Sequence, residues 1–219
     1  GDSVGNIWLS EGLFDLGRTD CKVRRDAEKT VVISRYGELA VHSLSIIPET
    51  DGSFRFENEI EYAQSLTELP RIGIVFELPH SFTDVEYWGR GPQENYRDRC
   101  AGYPVGRYRT TVDAMEETYI MPQESGNRTD VRELIVSDGG HRLAIVPESV
   151  MEFSISRYSA RAKQAAMHRH ELKESGRIYL NLDLLQRGVG TESCGPDTLP
   201  KYRIPGGVYR FTFRLFWKA

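Results

Sequence analysis

Along much of this chain apolar and polar residues alternate with a period of two, the spacing that sends successive side chains to opposite faces of a half-buried strand. Over 53–63, Phe54, Phe56, Asn58, Ile60 and Tyr62 share one face, and Arg55, Glu57, Glu59 and Glu61 the other. Over 208–217, Tyr209, Phe211, Phe213, Leu215 and Trp217 oppose Arg210, Thr212, Arg214 and Phe216. The same alternation, or a short run bounded by turn residues, predicts strands at 20–24, 30–36, 39–47, 71–78, 84–88, 131–137, 141–146, 151–157, 170–172 and 177–185. Thr50-Asp51-Gly52-Ser53 and Asp138-Gly139-Gly140 read as hairpin turns, because glycine supplies a positive φ without strain. Segment 104–115 is poorly patterned and reads as a long loop holding a short strand. The alanine-rich stretch 159–167, with Ser159 placed to cap it, is the one clear helix. Residues 7–16 form a short helical or irregular segment over one edge.

Strands at intervals of roughly 8 to 12 residues with turns between them predict an all-β fold, a large antiparallel β-sandwich with one short helix. No repeat, low-complexity tract or linker divides the chain. The expected organisation is one domain over 7–219, after an aperiodic opening, 1–6, that is frayed or vector-derived.

Composition narrows the functional classes. The 219 residues are 39% apolar and 27% charged, ordinary for a globular domain. The formal net charge is −4 and the arginines are scattered among acids, which argues against nucleic acid as a partner. No apolar run approaches the roughly 20 residues that span a bilayer, so no membrane partner is expected. The sequence as it stands shows no signal peptide, and its compartment is left open. The three cysteines, Cys21, Cys100 and Cys194, lie far apart without metal-ligand spacing and read as free thiols.

Candidate chemistry concentrates where the 84–88 strand runs into Trp88-Gly89-Arg90-Gly91-Pro92-Gln93-Glu94-Asn95-Tyr96-Arg97-Asp98-Arg99. Gly89 and Gly91 tolerate unusual backbone angles, and Pro92 ends strand pairing because it has no N–H to give. Glu94 and Asp98 have the makings of an acid/base pair for cleaving a glycosidic bond. They equally suit a hydrogen-bonded brace, and the interleaved arginines favour the brace, since they depress carboxyl pKa values that a general acid needs raised. Gln123, Glu124, Asn127, Arg128, Asp130 and Arg132 make a second polar cluster, suited to binding sugar hydroxyls or to burial between domains, with burial favoured. His168 and His170 point the same way in an extended segment. A hydrogen-bonded structural pair is the expected reading, because no third metal ligand lies nearby; no metal site is expected in this chain. His42, His80 and His141 read as surface or capped residues. Gly188-Val189-Gly190-Thr191-Glu192-Ser193 resembles an anion cradle only weakly, as no helix follows it.

Four stretches in order, Leu69-Pro70-Arg71-Ile72-Gly73, the corner from Trp88 to Arg99, Pro122 to Arg132, and Gly188 to Pro196, resemble the C-terminal, small-chain domain of the LacZ-type β-galactosidases of glycoside hydrolase family 2. The corner carries that family's W-x-G-x-G-P-x-E-N-Y-x-D-R signature at Trp88, Gly89, Gly91, Pro92, Glu94, Asn95, Tyr96, Asp98 and Arg99. The resemblance implies a galactose-mutarotase-like supersandwich and a larger parent that hydrolyses terminal non-reducing β-D-galactosides with retention. It places the two catalytic glutamates, with magnesium and sodium, on a (β/α)₈ barrel outside this chain. It therefore implies no catalytic residue and no cofactor here. Implied partners are the barrel and the jelly-roll and immunoglobulin-like domains of a homo-oligomeric parent, cytoplasmic or periplasmic. A loop bearing Glu192, Ser193 and Cys194 would approach substrate; Cys194 stands where some members place a tryptophan against the sugar. The family's domain begins further upstream, so an exposed sheet edge is expected. The alternatives are a stand-alone carbohydrate-binding module and an aldose 1-epimerase, the latter fed by the histidine pair.

Overall fold

The computed structural model describes residues 4–190 and 196–218. In chain order its elements are helix α1 (Val4–Ser10), strands β1 (Asp20–Arg25), β2 (Thr30–Tyr36), β3 (Ala40–Pro48), β4 (Phe54–Tyr62), β5 (Arg71–Pro79), β6 (Asp84–Arg90) and β7 (Val105–Thr111), and helix α2 (Val112–Met115). There follow β8 (Arg128–Val131), β9 (Glu133–Ser137), β10 (Arg142–Pro147), β11 (Met151–Ser156), helix α3 (Ala160–Ala165), β12 (Arg177–Gln186) and β13 (Val208–Lys218). All pairings are antiparallel. A nine-stranded sheet runs β1-β2-β3-β4-β13-β10-β9-β6-β7, and a four-stranded sheet β5-β12-β11-β8 lies against its middle.

The inward halves of the alternating strands hold the two sheets together. Phe76 of β5 meets Phe213 of β13 edge to face at 6.2 Å, and Phe213 stacks on Phe56 at 5.0 Å. Tyr87 of β6 meets Phe153 of β11 at 5.2 Å. Around these contacts Ile72, Leu134, Ile145, Ile178, Leu180 and Leu182 are fully buried. Burying each such side chain contributes roughly 1.5–3 kcal/mol before conformational entropy is charged against it. At the far end of the large sheet, β1 is exposed at every position. Its edge carries Lys22, Arg24 and Arg25, charges of the kind that keep unpaired edges from recruiting other strands.

All but one of the expected strands are present, most with shifts of one or two residues at their ends, and six local readings are corrected. Segment 104–115 is a regular strand plus one helical turn, β7 and α2: Arg107 and Arg109 on one side alternate with Tyr108 and Thr110 on the other, a pattern hidden by glycine and threonine. β6 continues past Trp88, pairing Gly89 with Gly106 and Arg90 with Val105. Segment 170–172 is no strand; Arg169–Glu171 make a turn of 3-10 helix whose Glu171 carboxylate accepts from the backbone N–H groups of Met167 and His168. The expected strand 131–137 is broken at Arg132, where the chain passes from the small sheet (β8) to the large one (β9). Ser159 caps α3 as expected, its hydroxyl accepting from the Ala162 N–H at 3.1 Å, but α3 is accompanied by α1 and α2. Val4 to Asn6, expected to be frayed, open α1. Among the described residues no helix is long and apolar enough to cross a membrane.

Candidate functional site

The four polar stretches meet at one end of the sandwich, where β6 ends and β5 and β8 begin. Gly91 joins Pro92 by a cis peptide bond. A Cβ on Gly91 would lie 2.2 Å from the Tyr87 hydroxyl, so only glycine lets the chain turn so close to the aromatic strand below it. Asn95, fully buried, knits the corner to the 122–132 segment. Its amide N–H groups donate to the carbonyls of Arg90 (3.2 Å) and Gln93 (3.0 Å), and its oxygen accepts from the N–H and hydroxyl of Thr129 (3.0 and 2.6 Å). Its backbone N–H donates to the Asn127 carbonyl at 2.8 Å, and the Asn127 amide returns a bond to the Asn95 carbonyl at 3.1 Å. Every hydrogen-bonding group of Asn95 is thereby used, as burial requires.

The two carboxylates of the corner spend their acceptor capacity on the chain itself. Glu94, 6% exposed, accepts from Arg99 Nη2 at 2.5 Å, from the Gly126 N–H at 2.9 Å and from the Tyr119 hydroxyl. Burial pushes its pKa up, but the Tyr119 phenol, the Gly126 N–H and Arg99 together hold it below the usual carboxylate range. Asp98 accepts from the backbone N–H groups of Val189 (3.2 Å) and Gly190 (2.8 Å) and from the Thr198 hydroxyl (2.9 Å). A Cβ on Gly188 would sit 2.6 Å from the Asp98 carboxylate and 2.5 Å from Thr198 Oγ1, so glycine is required for this close approach. Asp98 therefore pins both flanks of the 191–195 segment. The expected substrate-proximal residues Glu192, Ser193 and Cys194 lie outside the described residues.

The remaining signature residues divide between core and surface. Tyr96 is buried, with the Arg99 guanidinium 5.2 Å from its ring centroid. Trp88 faces outward, its ring approached by the guanidinium groups of Arg107 at 5.0 Å and Arg132 at 5.7 Å. Arg90 reaches Asp130 at 2.5 Å and the Tyr103 carbonyl at 2.9 Å. His168 and His170 stack at 5.5 Å, with the Glu171 carboxylate 3.2 Å from His168. Among the described residues no cluster of three or more His, Cys, Asp or Glu side chains is placed to hold a metal ion.

Two charged groups behind the corner were not found from sequence. Arg187, 5% exposed, forks onto Glu68 at 3.0 and 3.3 Å and onto both oxygens of Asp197 at 2.7 Å, and Arg203 joins Asp197 at 2.9 Å. On the small sheet Glu152 lies opposite Asp183 across β11 and β12. Asn127 donates to Glu152 at 2.7 Å, and Arg71 binds Asp183 at 2.6 Å and Glu124 at 3.2 Å. Burial drives the Glu152 carboxyl up to about 7 and the Asp183 carboxyl to about 6, the latter against the pull of Arg71. The partners are up to 119 residues apart in sequence, so no local spacing marks them.

The Asp98 contacts give an expected result at the level of single amides. In Asp98→Ala, hydrogen exchange at the Val189 and Gly190 N–H groups accelerates about 10- to 100-fold, the equivalent of roughly 1.5–3 kcal/mol for bonds to a charged acceptor. Amides of β12 keep their protection. Unchanged exchange at Val189 and Gly190, read by NMR, would show that Asp98 holds nothing there.

A sequence profile described as β-galactosidase small chain matches residues 6–215. A β-galactosidase of Vibrio cholerae is 37% identical over 170 residues, 77% of this chain and 16% of that protein. One of Enterobacter cloacae is 31% identical over 94% of this chain and 20% of its own length, and one of Klebsiella pneumoniae 30% identical over 95% and 20%. The chain thus spans about a fifth or less of the curated relatives it matches. Among solved structures, a galactose 1-epimerase from Lactobacillus acidophilus NCFM aligns with 91% of this chain and 66% of its own at 9% identity, with a TM-score of 0.44.

Proposed function

The chain belongs to the β-galactosidase small-chain family, and from that premise we propose that it is the C-terminal part of an enzyme that hydrolyses terminal non-reducing β-D-galactosides with retention. The catalytic glutamates and the magnesium and sodium ions of that enzyme belong to a barrel domain outside this chain. The part played here is support: the sandwich packs against the other domains of a homo-oligomer and presents the loop from Gly188 to Pro196, with Glu192, Ser193 and Cys194, toward the sugar.

The observation that carries this reading is the corner itself. Glu94 is tied to Arg99, Gly126 and Tyr119, and Asp98 to Val189, Gly190 and Thr198. Glu94, held by several donors, is kept in its charged form and makes a poor general acid, and Asp98 is committed to the chain on either side of the loop, so the two suit a brace that positions a loop better than a pair that cleaves a bond. The test compares the purified 219-residue chain with the full-length product of its natural reading frame on a chromogenic β-galactoside. The full-length protein is expected to turn over the substrate with β-galactose as first product by NMR, and the chain alone to give none. Turnover by the chain alone, or a full-length protein inert toward β-galactosides, would overturn the proposal.

A further inference from the structure

Arg128 is 3% exposed, yet no carboxylate lies within salt-bridge distance of it among the described residues. Its Nε donates to the Pro92 carbonyl at 2.9 Å, and its Nη1 to the carbonyls of Gly126 (3.0 Å) and Asn127 (3.2 Å). The Tyr87 phenol also lies beside it. Carbonyl dipoles offset part of the cost of burying a guanidinium, but a buried cation ordinarily has an anion as partner.

The side chain is buried by protein on most sides and opens on one. It helps line an open cleft of about 350 Å³, together with Tyr87, Tyr108, Pro92, Gln93, Thr110 and Glu117. That volume is at the lower end of small-ligand sites. The lining combines aromatic surface from Tyr87 and Tyr108 with the amide of Gln93 and the hydroxyl of Thr110, groups that pair with polyol hydroxyls. Arg109, also at the cleft, is engaged with Glu86 at 3.2 Å. Glu117 lines the same cleft, where burial and the Glu94 charge push its carboxyl upward and outweigh the downward pull of the Arg128 charge, and it forms no salt bridge with Arg128.

We propose that this cleft binds a carboxylate-bearing ligand the size of a single sugar, with the carboxylate on Arg128 and hydroxyls on Gln93 and Thr110. Hexuronates are the simplest members of that class. The site is separate from the loop pinned by Asp98, and the proposal does not depend on galactosidase activity.

The test is isothermal calorimetry or ligand-observed NMR on the 219-residue chain at low salt, with galacturonate and galactose as matched probes. Galacturonate is expected to bind at least about tenfold more tightly than galactose, as one charge-assisted hydrogen-bonded pair provides. The double variant Gln93→Ala/Thr110→Val, whose side chains take no part in holding the corner, is expected to weaken galacturonate binding several-fold with the melting temperature unchanged. Arg128→Lys, where it folds, keeps the charge, loses the fork and weakens binding further. Equal binding of the two probes, no binding of galacturonate, or galacturonate binding indifferent to the double variant would each overturn the proposal.

Discussion

Arg187→Met is expected to lower the melting temperature by roughly 6–20 °C. Arg187 and Glu68 are each about 95% buried and joined by two hydrogen bonds, so removing the cation strands a carboxylate in the interior. Breaking one side of such a pair costs about 3–5 kcal/mol, and in a chain of this size each kcal/mol is worth about 2–4 °C. The loss extends outward. The Trp8 ring lies 5.8 Å from the Arg187 guanidinium and its indole N–H donates to the Glu68 carbonyl at 3.1 Å, so α1 should loosen with it. Asp197 suffers less, being about a quarter exposed and keeping Arg203.

A double-mutant cycle separates the cost of a stranded charge from the value of the contacts. Glu68→Gln/Arg187→Met removes both charges and is expected to recover much of the stability lost in Arg187→Met. Thermal unfolding followed by tryptophan fluorescence reads both effects. A double variant as unstable as the single one, or a single variant within about 3 °C of the parent, would mean that the pair is not what holds Arg187 and α1 in place.

Glu152→Gln is expected to reverse its sign of effect with pH. Burial raises the Glu152 carboxyl from 4.5 in the unfolded chain to about 7 in the folded one. The folded state therefore holds the proton more tightly than the unfolded state does. The stabilisation from this group is complete below about pH 4.5 and is lost as the pH rises through 7. At 1.36 kcal/mol per unit, the loss amounts to about 3 kcal/mol. A glutamine carries no ionisable proton, so the variant escapes this loss.

Urea unfolding across pH 5 to 8 tests the point through the difference between parent and variant. The variant is expected to be more stable than the parent above pH 7 and no more stable at pH 5. His42 contributes the opposite slope, since burial lowers its pKa and it charges on unfolding, but that term is common to both proteins and cancels in the difference. Asp183, also pushed upward by burial, adds a slope of the same sign as Glu152 and is coupled to it across the strand pair. A difference independent of pH would show that Glu152 is ionised in the folded state throughout this range.

Much of the fold was legible in the order of residues because strand periodicity is a local property. Phe54 to Tyr62 and Val208 to Trp217 each announce a wet face and a dry face, and they pair with one another, Ile60 beside Tyr209 and Asn58 beside Phe211. Motif spacing likewise showed that Trp88 to Arg99 is a polar corner after an aromatic strand. β7 escaped because Gly106 and Thr110 dilute its apolar side, and β8 escaped because Arg128, Thr129 and Asp130 read as a polar loop leading into the strand at 131–137.

The sequence alone determined most of the strands, their turns and the family; the tertiary structure decided which polar positions are wet. On β11 and β12 the residues alternating with Phe153, Ile155, Leu180 and Leu182 include Glu152 and Asp183, which by pattern should face water. They are 5% and 2% exposed, because Asn127 and the Gln186 N–H close on Glu152 while Arg71, itself tied to Glu124, closes on Asp183. Long-range contacts likewise bury Arg128 beside a cleft and Arg187 against Glu68. Periodicity records which way a side chain points from its own strand. Its protonation state and its partners depend on what distant segments lay over it, and that is settled only when the chain has closed.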